Sequence, residues 1–208
     1  MKIAAIIPVK TFSNAKSRLR LPASKKEELC KIMFNEVIKA IMKTNIINKI
    51  VIVSKSKDII SDEMVNVIHI NDKYEIGVNN AISIADKYIL RNGFDASVVF
   101  PQDIPLIKPV DVISLLKWQA KKLVCIVPSK RFDGTNALVR MPTNLMKTHY
   151  DEDSYKIHLQ IGKRHTNNTS LVLIKRIMFD VDNHNDLKLL LKQTDKPEIC
   201  KAIRNIIC

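Results

Sequence analysis

Apolar residues along this chain follow two rhythms. Short unbroken runs rich in Val and Ile recur at Lys2–Val9, Lys49–Val53, Val65–Ile70, Ala96–Phe100, Leu123–Val127, Ala137–Met141 and Thr169–Ile174. Runs of this length and composition predict strands, and near-continuous ones predict strands buried on both faces. Between them the apolar positions recur at three- and four-residue spacing, which predicts amphipathic helices with one buried face. Ser24–Lys43 shows it through Leu29, Ile32, Met33, Val37, Ala40 and Ile41, and Gly77–Leu90 through Val78, Ala81, Ile82, Ala85 and Ile89. Val110–Trp118, Asp153–Gly162, Asn183–Gln193 and Pro197–Ile207 complete the helical set. Pro22 and Ser24 make a start signal for the first helix, with Glu27 as a capping-box partner of Ser24.

Strands alternating with helices predict an α/β fold: a single domain over residues 1–208, three-layer α/β/α, with a mostly parallel central sheet. Residues 133–165 are expected to form an irregular substrate-side lobe, and residues about 196–208 a tail helix. In open α/β sheets, ligands bind outside the carboxyl ends of the strands. That rule directs attention to the residues just beyond each apolar run.

After the first run stands Pro8-Val9-Lys10, then Ala15-Lys16-Ser17-Arg18-Leu19, with no acid before Glu27. Lys and Arg suit phosphate oxygens, and the absence of a Gly-rich Walker pattern excludes a P-loop. After the fourth run stands Phe100-Pro101-Gln102-Asp103-Ile104-Pro105. A carboxylate held there by flanking prolines can bind a divalent cation that bridges nucleotide phosphates, or it can cap the following turn. Phe179-Asp180-Val181-Asp182-Asn183 places two acids at i, i+2, on one side of an extended segment. One or both could join Asp103 at a metal, while Asp182 or Asn183 caps the next helix. Asp133-Gly134-Thr135-Asn136 offers a glycine for close backbone approach and two neutral donors for a phosphate or carboxylate; it also suits a plain turn. Gly77-Val78-Asn79-Asn80 opens a helix whose free N–H groups favour an anion or base-edge acceptors, or it is simply a cap.

The net charge is +13 from 34 Lys and Arg against 21 Asp and Glu. A polynucleotide footprint is one reading, attraction of small anionic substrates a second, and a solvated basic surface the third. The lysines are spread along the chain without a block of five or six, which favours the third. The 5% aromatic content argues against a non-catalytic nucleic-acid binder. Cys30, Cys125, Cys200 and Cys208 have no zinc or redox spacing and read as buried hydrophobes plus a loose terminal thiol. The first apolar run ends at Pro8 and Lys10, too early for a secretory core or membrane span, so a cytoplasmic protein is expected. The five histidines have no metal-ligand spacing, no serine or cysteine occupies a nucleophile elbow, and His158 reads as packing on its own helix.

Together the segments "IIPVK…AKSRL", "GVNNAI", "VVFPQDIPLI", "DGTNALV", "DEDSYKIHL" and "FDVDNHNDL" resemble the 2-phospho-L-lactate guanylyltransferase family of coenzyme F(420) biosynthesis. The resemblance runs in order to about Leu190. The wider group comprises Mg²⁺-dependent nucleotidyltransferases with a glycosyltransferase-A-like fold that release pyrophosphate. The resemblance implies a nucleotide site of Pro8, Val9, Lys10, Lys16, Arg18 and Asn79, with Lys16, Arg18 and Asp103 as the catalytic residues. It implies Asp103, Asp180 and Asp182 as metal ligands, and Thr135, Asn136 and Ser154 at the acceptor. GTP and a small phosphorylated carboxylic acid would be the substrates, and a homodimer is compatible. Gln102 stands where the family has a small residue. Asp151, Glu152 and Asp153 stand where it is often Gly-rich, and these acids would repel a phosphorylated acceptor unless they point away or hold a metal. Nucleotidyl transfer from CTP, or to a sugar phosphate, is the neighbouring alternative.

Overall fold

The computed structural model describes residues 1–208 except 13–15, 17, 62, 119 and 208. Expectations attached to Ala15, Ser17 and Cys208 therefore lie outside the described residues. Among the described residues the strands are β1 (Ile3–Pro8), β2 (Lys49–Ser54), β3 (Val67–Asn71), β4 (Ala96–Val99), β5 (Leu123–Pro128), β6 (Thr135–Met141) and β7 (Thr169–Leu171). The helices are α1 (Ala23–Met42), α2 (Val78–Arg91), α3 (Pro109–Leu116), α4 (Ser154–His165), α5 (Lys175–Met178), α6 (His184–Leu191) and α7 (Pro197–Ile207). The strands form one sheet in the order β3-β2-β1-β4-β6-β5-β7.

Period two along β1 shows how the layers arise. Ile3, Ala5 and Ile7 face a core shared with α1, α3, α6 and α7, while Ala4 and Ile6 face a second core under α2 and α4. Both faces of the strand are thus apolar, as a sheet covered on two sides requires. All strand pairs are parallel except β4–β6 and β5–β6. β6 runs backwards because β5 returns through a tight hairpin. Its loop is closed by Ser129, whose Oγ donates to Asp133 Oδ1 at 2.6 Å and accepts from the Gly134 N–H at 3.1 Å. Gly134 closes this turn, where its N–H donates to Ser129 Oγ. A Cβ there would only meet Ser129 at 3.6 Å.

Three local expectations are corrected. Helix α1 begins at Ala23 with Pro22 as its cap residue and no side-chain cap, so Ser24 is already inside the first turn and cannot reach back. Glu27 pairs instead with Lys31 at 3.0 Å. Residues 133–165, expected to be irregular, carry the regular elements β6, between β4 and β5 in the sheet, and α4, with an irregular stretch between them. The short helix α5 carried no periodic signal, because four residues span about one turn. Cys30, Cys125 and Cys200 are free and buried as expected, and burial pushes the Cys30 and Cys125 thiols up to about 11. No described helix is long and apolar enough to cross a membrane.

Candidate active site

A cleft of about 670 Å³ opens at the carboxyl ends of β1, β3 and β4. Pro8, Val9 and Lys10 enter it directly from β1, and Lys16 and Arg18 from the loop beyond. That loop is anchored on either side by the buried Phe12, packed on Phe34 of α1, and the buried Leu19. Lys16 has a left-handed backbone, φ 56°, between these anchors. From β4, Phe100 and Ile104 are fully buried and fix the intervening Pro101-Gln102-Asp103 at the cleft floor. The Val181 N–H donates to the Asp103 carbonyl at 3.1 Å, which brings the segment between α5 and α6 alongside.

These three pieces converge on one ammonium. Lys16 Nζ donates to Asp103 Oδ2 and to Asp182 Oδ1, the latter at 2.8 Å. Burial pulls the Lys16 pKa down, but the Asp103 and Asp182 charges outweigh it and hold the group above its ordinary value. Asp180 shares the cluster. Burial, then hydrogen bonding and repulsion from Asp182 and repulsion from Asp103, push its carboxyl up to about 7. For Asp182, burial is outweighed by Lys16, by the bond with Asp180 and by Arg131, and its pKa falls. Asp103 and Asp182 thus grip Lys16, with Arg131 Nη1 3.5 Å from Asp182 Oδ2, while Asp180 stands behind them and does not line the cleft. No three His, Cys, Asp or Glu side chains among the described residues form a ready-made metal cage. The all-oxygen donor set and its shortage of positive charge nevertheless suit a hard divalent cation carrying water and phosphate ligands.

The remaining expected residues separate into those at the cleft and those behind it. Thr135 lines the cleft, with its Oγ1 3.1 Å from Ser154 Oγ, while Ser154 is buried behind it. Asn136 also lies behind. Its amide donates to the carbonyls of Ile177 and Met178 at 3.0 and 3.1 Å, and to Asp180 Oδ1 at 3.4 Å, so it braces the acid-bearing segment. Asn79 holds the chain ahead of α4: its Oδ1 accepts from the Tyr150 N–H at 2.8 Å and its Nδ2 donates to Asp151 at 3.4 Å. Gly77 and Val78 face the cleft in its place. Gly77 has φ 148°, a conformation for which glycine is needed, and caps α2 without a side-chain bond. Asn183 caps α6, accepting from the N–H groups of Asn185 and Asp186. Asp151, Glu152 and Asp153 are exposed and absent from the cleft wall, with Asp153 paired to Lys156 at 3.0 Å.

Sequence reasoning missed Asp72, Glu75, Tyr150 and the hub role of His158. Asp72 and Glu75 line the cleft after β3, and Glu75 accepts from the Thr11 N–H at 2.6 Å. An acid after the third apolar run was the available signal. Tyr150 and His158 had none, since both lie far from any strand end.

Among curated proteins, the chain is 28% identical over 195 residues to a phosphoenolpyruvate guanylyltransferase of Conexibacter woesei, covering 91% of this chain and 87% of that protein. It is 28% identical over 190 residues to a 2-phospho-L-lactate guanylyltransferase of Methanothermobacter thermautotrophicus, covering 90% and 83%. Among solved structures, a nucleotidyl transferase from Methanothermobacter superposes with TM-score 0.66 at 13% identity, over 91% of this chain and 95% of that one. A 4-diphosphocytidyl-2C-methyl-D-erythritol synthase from Anaerococcus prevotii superposes with TM-score 0.62 at 11% identity, over 100% and 99%. These two share the fold, a sheet of nucleotidyltransferase type. The family model described as guanylyl transferase CofC like matches residues 3–204, and the chain belongs to that family.

Proposed function

We propose that this nucleotidyltransferase moves a guanylyl group from GTP to phosphoenolpyruvate or 2-phospho-L-lactate, within coenzyme F(420) biosynthesis. The observation that carries the reading is the pair of carboxylates, Asp103 and Asp182, that grip Lys16 at the wall of a cleft large enough for a nucleotide, with Asp180 hydrogen-bonded to Asp182 behind them. The relatives named for the same transfer span most of their lengths with this chain.

In this reading a phosphate oxygen of the acceptor attacks the α-phosphorus of GTP. One P–O bond forms, the bond to the β-phosphate oxygen breaks, and pyrophosphate leaves. The chain's task is to align attacker and leaving group and to offset the charge that accumulates. Lys10 and Arg18, both exposed at the cleft, reach toward the triphosphate. Lys16 is held rigidly between two carboxylates, so its ammonium is already oriented when phosphate arrives. Asp103, Asp180 and Asp182 would hold Mg²⁺, which when bound screens the phosphates and polarises the α-phosphoryl group. Thr135, which lines the same cleft, would donate to the acceptor.

Pyrophosphate release by the purified protein tests the reading. Reactions would contain Mg²⁺, GTP and either phosphoenolpyruvate or 2-phospho-L-lactate, with CTP, ATP and UTP as controls. Release that requires GTP and one acid supports the assignment and names the acceptor. Release only with CTP, or none until a sugar phosphate is added in place of the acid, moves the protein to the neighbouring nucleotidyltransferases.

A further inference from the structure

Behind the cleft wall a buried histidine lies within hydrogen-bonding distance of a threonine hydroxyl. His158 is wholly buried on α4. Its Nε2 lies 2.8 Å from the backbone nitrogen of His149, and its Nδ1 lies 3.0 Å from Thr135 Oγ1. A backbone N–H can only donate, so Nε2 carries the lone pair. A neutral ring then has its single hydrogen on Nδ1. Burial first, then the charges of Arg140 and His149, lower the His158 pKa to about 4, so the ring is neutral near pH 7. The Tyr150 ring packs edge-on against it, with centroids 4.9 Å apart, and holds its plane.

Thr135 and Ser154 bring one hydroxyl hydrogen each, and one of these lies in the 3.1 Å bond between them. The Nδ1 hydrogen of His158 enters this pair and accepts nothing back. One hydroxyl hydrogen is therefore left without an acceptor inside the group. Ser154 is buried and its hydroxyl has no other hydrogen-bond partner among the described residues, so its hydrogen is spent on Thr135 and the remaining hydrogen belongs to Thr135, which lines the cleft.

We infer that His158 is a positioning residue: by donating from Nδ1 to Thr135, it turns the Thr135 hydroxyl into a fixed hydrogen-bond donor for an anionic oxygen of the acceptor acid. An ordinary hydroxyl rotates and offers either a hydrogen or a lone pair. A fixed donor favours a carboxylate or phosphate oxygen over a ligand that brings only its own donors. Identification of the ligand rests on the guanylyl-transfer reading; the orientation of the hydroxyl does not.

The test uses the full chain and separates kcat from the two KM values. In His158→Leu the Thr135 hydroxyl regains rotation, and the KM for the acid should rise roughly tenfold, the scale of a weakened hydrogen bond to a charged group. The KM for GTP and kcat should change little. His158→Asn restores an amide donor at the place of Nδ1 and should recover most of the loss. Thr135→Val combined with His158→Leu should be no worse in acid KM than Thr135→Val alone. An unchanged acid KM in His158→Leu, or losses that add in the double variant, overturns the inference. So does a rise in both KM values together with a fall in kcat, which marks a merely structural role. A ¹⁵N spectrum of the histidine rings in the wild type gives a second, activity-free readout. The hydrogen should reside on Nδ1 of His158, and an Nε2–H ring overturns the inference even if the variants fail to fold. If the wild type turns over no acid at all, the guanylyl-transfer reading falls, and the ring spectrum still decides the orientation.

Discussion

Two acid clusters lie within a few residues of each other, around Asp182 and around Asp186, and they are built on opposite principles. Asp186 has every charge and hydrogen bond answered. Its carboxylate pairs with Lys130, lies 2.7 Å from Arg131 Nη2, and accepts from the N–H groups of Asp182 and Asn183 at 3.0 and 3.2 Å. Burial raises its pKa, but these donors outweigh it and hold the carboxyl below its usual range. Asp103 and Asp182 share one lysine, Asp182 also has part of one arginine, and Asp180 beside them has its carboxyl pushed up to about 7. The closed cluster secures the capping box of α6 and so the position of the segment before it. The open cluster leaves one carboxyl, Asp180, without a cationic partner beside the cleft, which is the charge the proposed Mg²⁺ site would use. Acidic residues of the same type, on one short stretch, thus serve structure where every oxygen is answered and chemistry where it is not.

The contrast can be broken most forcefully in the open cluster. Asp103→Asn or Lys16→Ala should lower kcat/KM by a hundredfold or more, on the order of 2.7–4 kcal/mol of barrier. The folded structure should persist. Initial rates of pyrophosphate release, set beside circular dichroism, check both halves of that statement, and near-wild-type turnover in both variants would sink the site assignment.

His158 sharpens the comparison as a buried polar group kept neutral. Its pKa falls from 6.5 unfolded to about 4 folded, so the unfolded chain binds more protons between those values. Stability should therefore decline as pH falls from about 6.5 toward 4, by about 3 kcal/mol in total from this group. Urea melts at a series of pH values should show that limb flattened in His158→Leu; an unaltered slope would place the acid sensitivity elsewhere.

In the closed cluster the loss should appear in stability. Asp186→Ala strands two cations and two backbone N–H groups at once, and should cost about 2 kcal/mol by denaturant melting. Folded protein at low temperature should retain turnover, in contrast with Asp103→Asn. A variant fully stable yet inactive would reverse the roles given to the two clusters.

The smallest effect concerns the cation. Mg²⁺ at ten times its dissociation constant should stabilise the wild type by about 1.4 kcal/mol. Asp103→Asn should respond less, and Asp186→Asn like the wild type. An equal rise in melting temperature for all three proteins would mean that the cation binds elsewhere.

Much of this architecture was legible in the chain because periodicity is a local property. Each predicted strand overlaps an observed one, and only the one-turn helix α5 was unforeseen. The rule that ligands lie beyond strand ends also singles out Lys16, Arg18 and Asp103 from their order in the chain, and all three line the cleft. Asn79 and Asn136 show where such reading stops. Their amides are consumed by a backbone N–H at position 150 and by carbonyls at 177 and 178, partners tens of residues away in the chain. A residue's place in a motif says what its side chain can bond, but its bonds go to whichever unsatisfied group the fold brings within hydrogen-bonding distance.

By itself, then, the sequence determined the alternation of strands and helices, the double-sided burial of β1 and the chemistry available at the strand ends. Those result from the covalent order of apolar and polar side chains. Tertiary structure alone decided that β6 runs antiparallel between β4 and β5, that Lys16 meets Asp103 and Asp182 across 87 and 166 residues of chain, and that His158 reaches Thr135. Those depend on packing in three dimensions, where low local dielectric and geometric closure set the strength of a charge or a hydrogen bond.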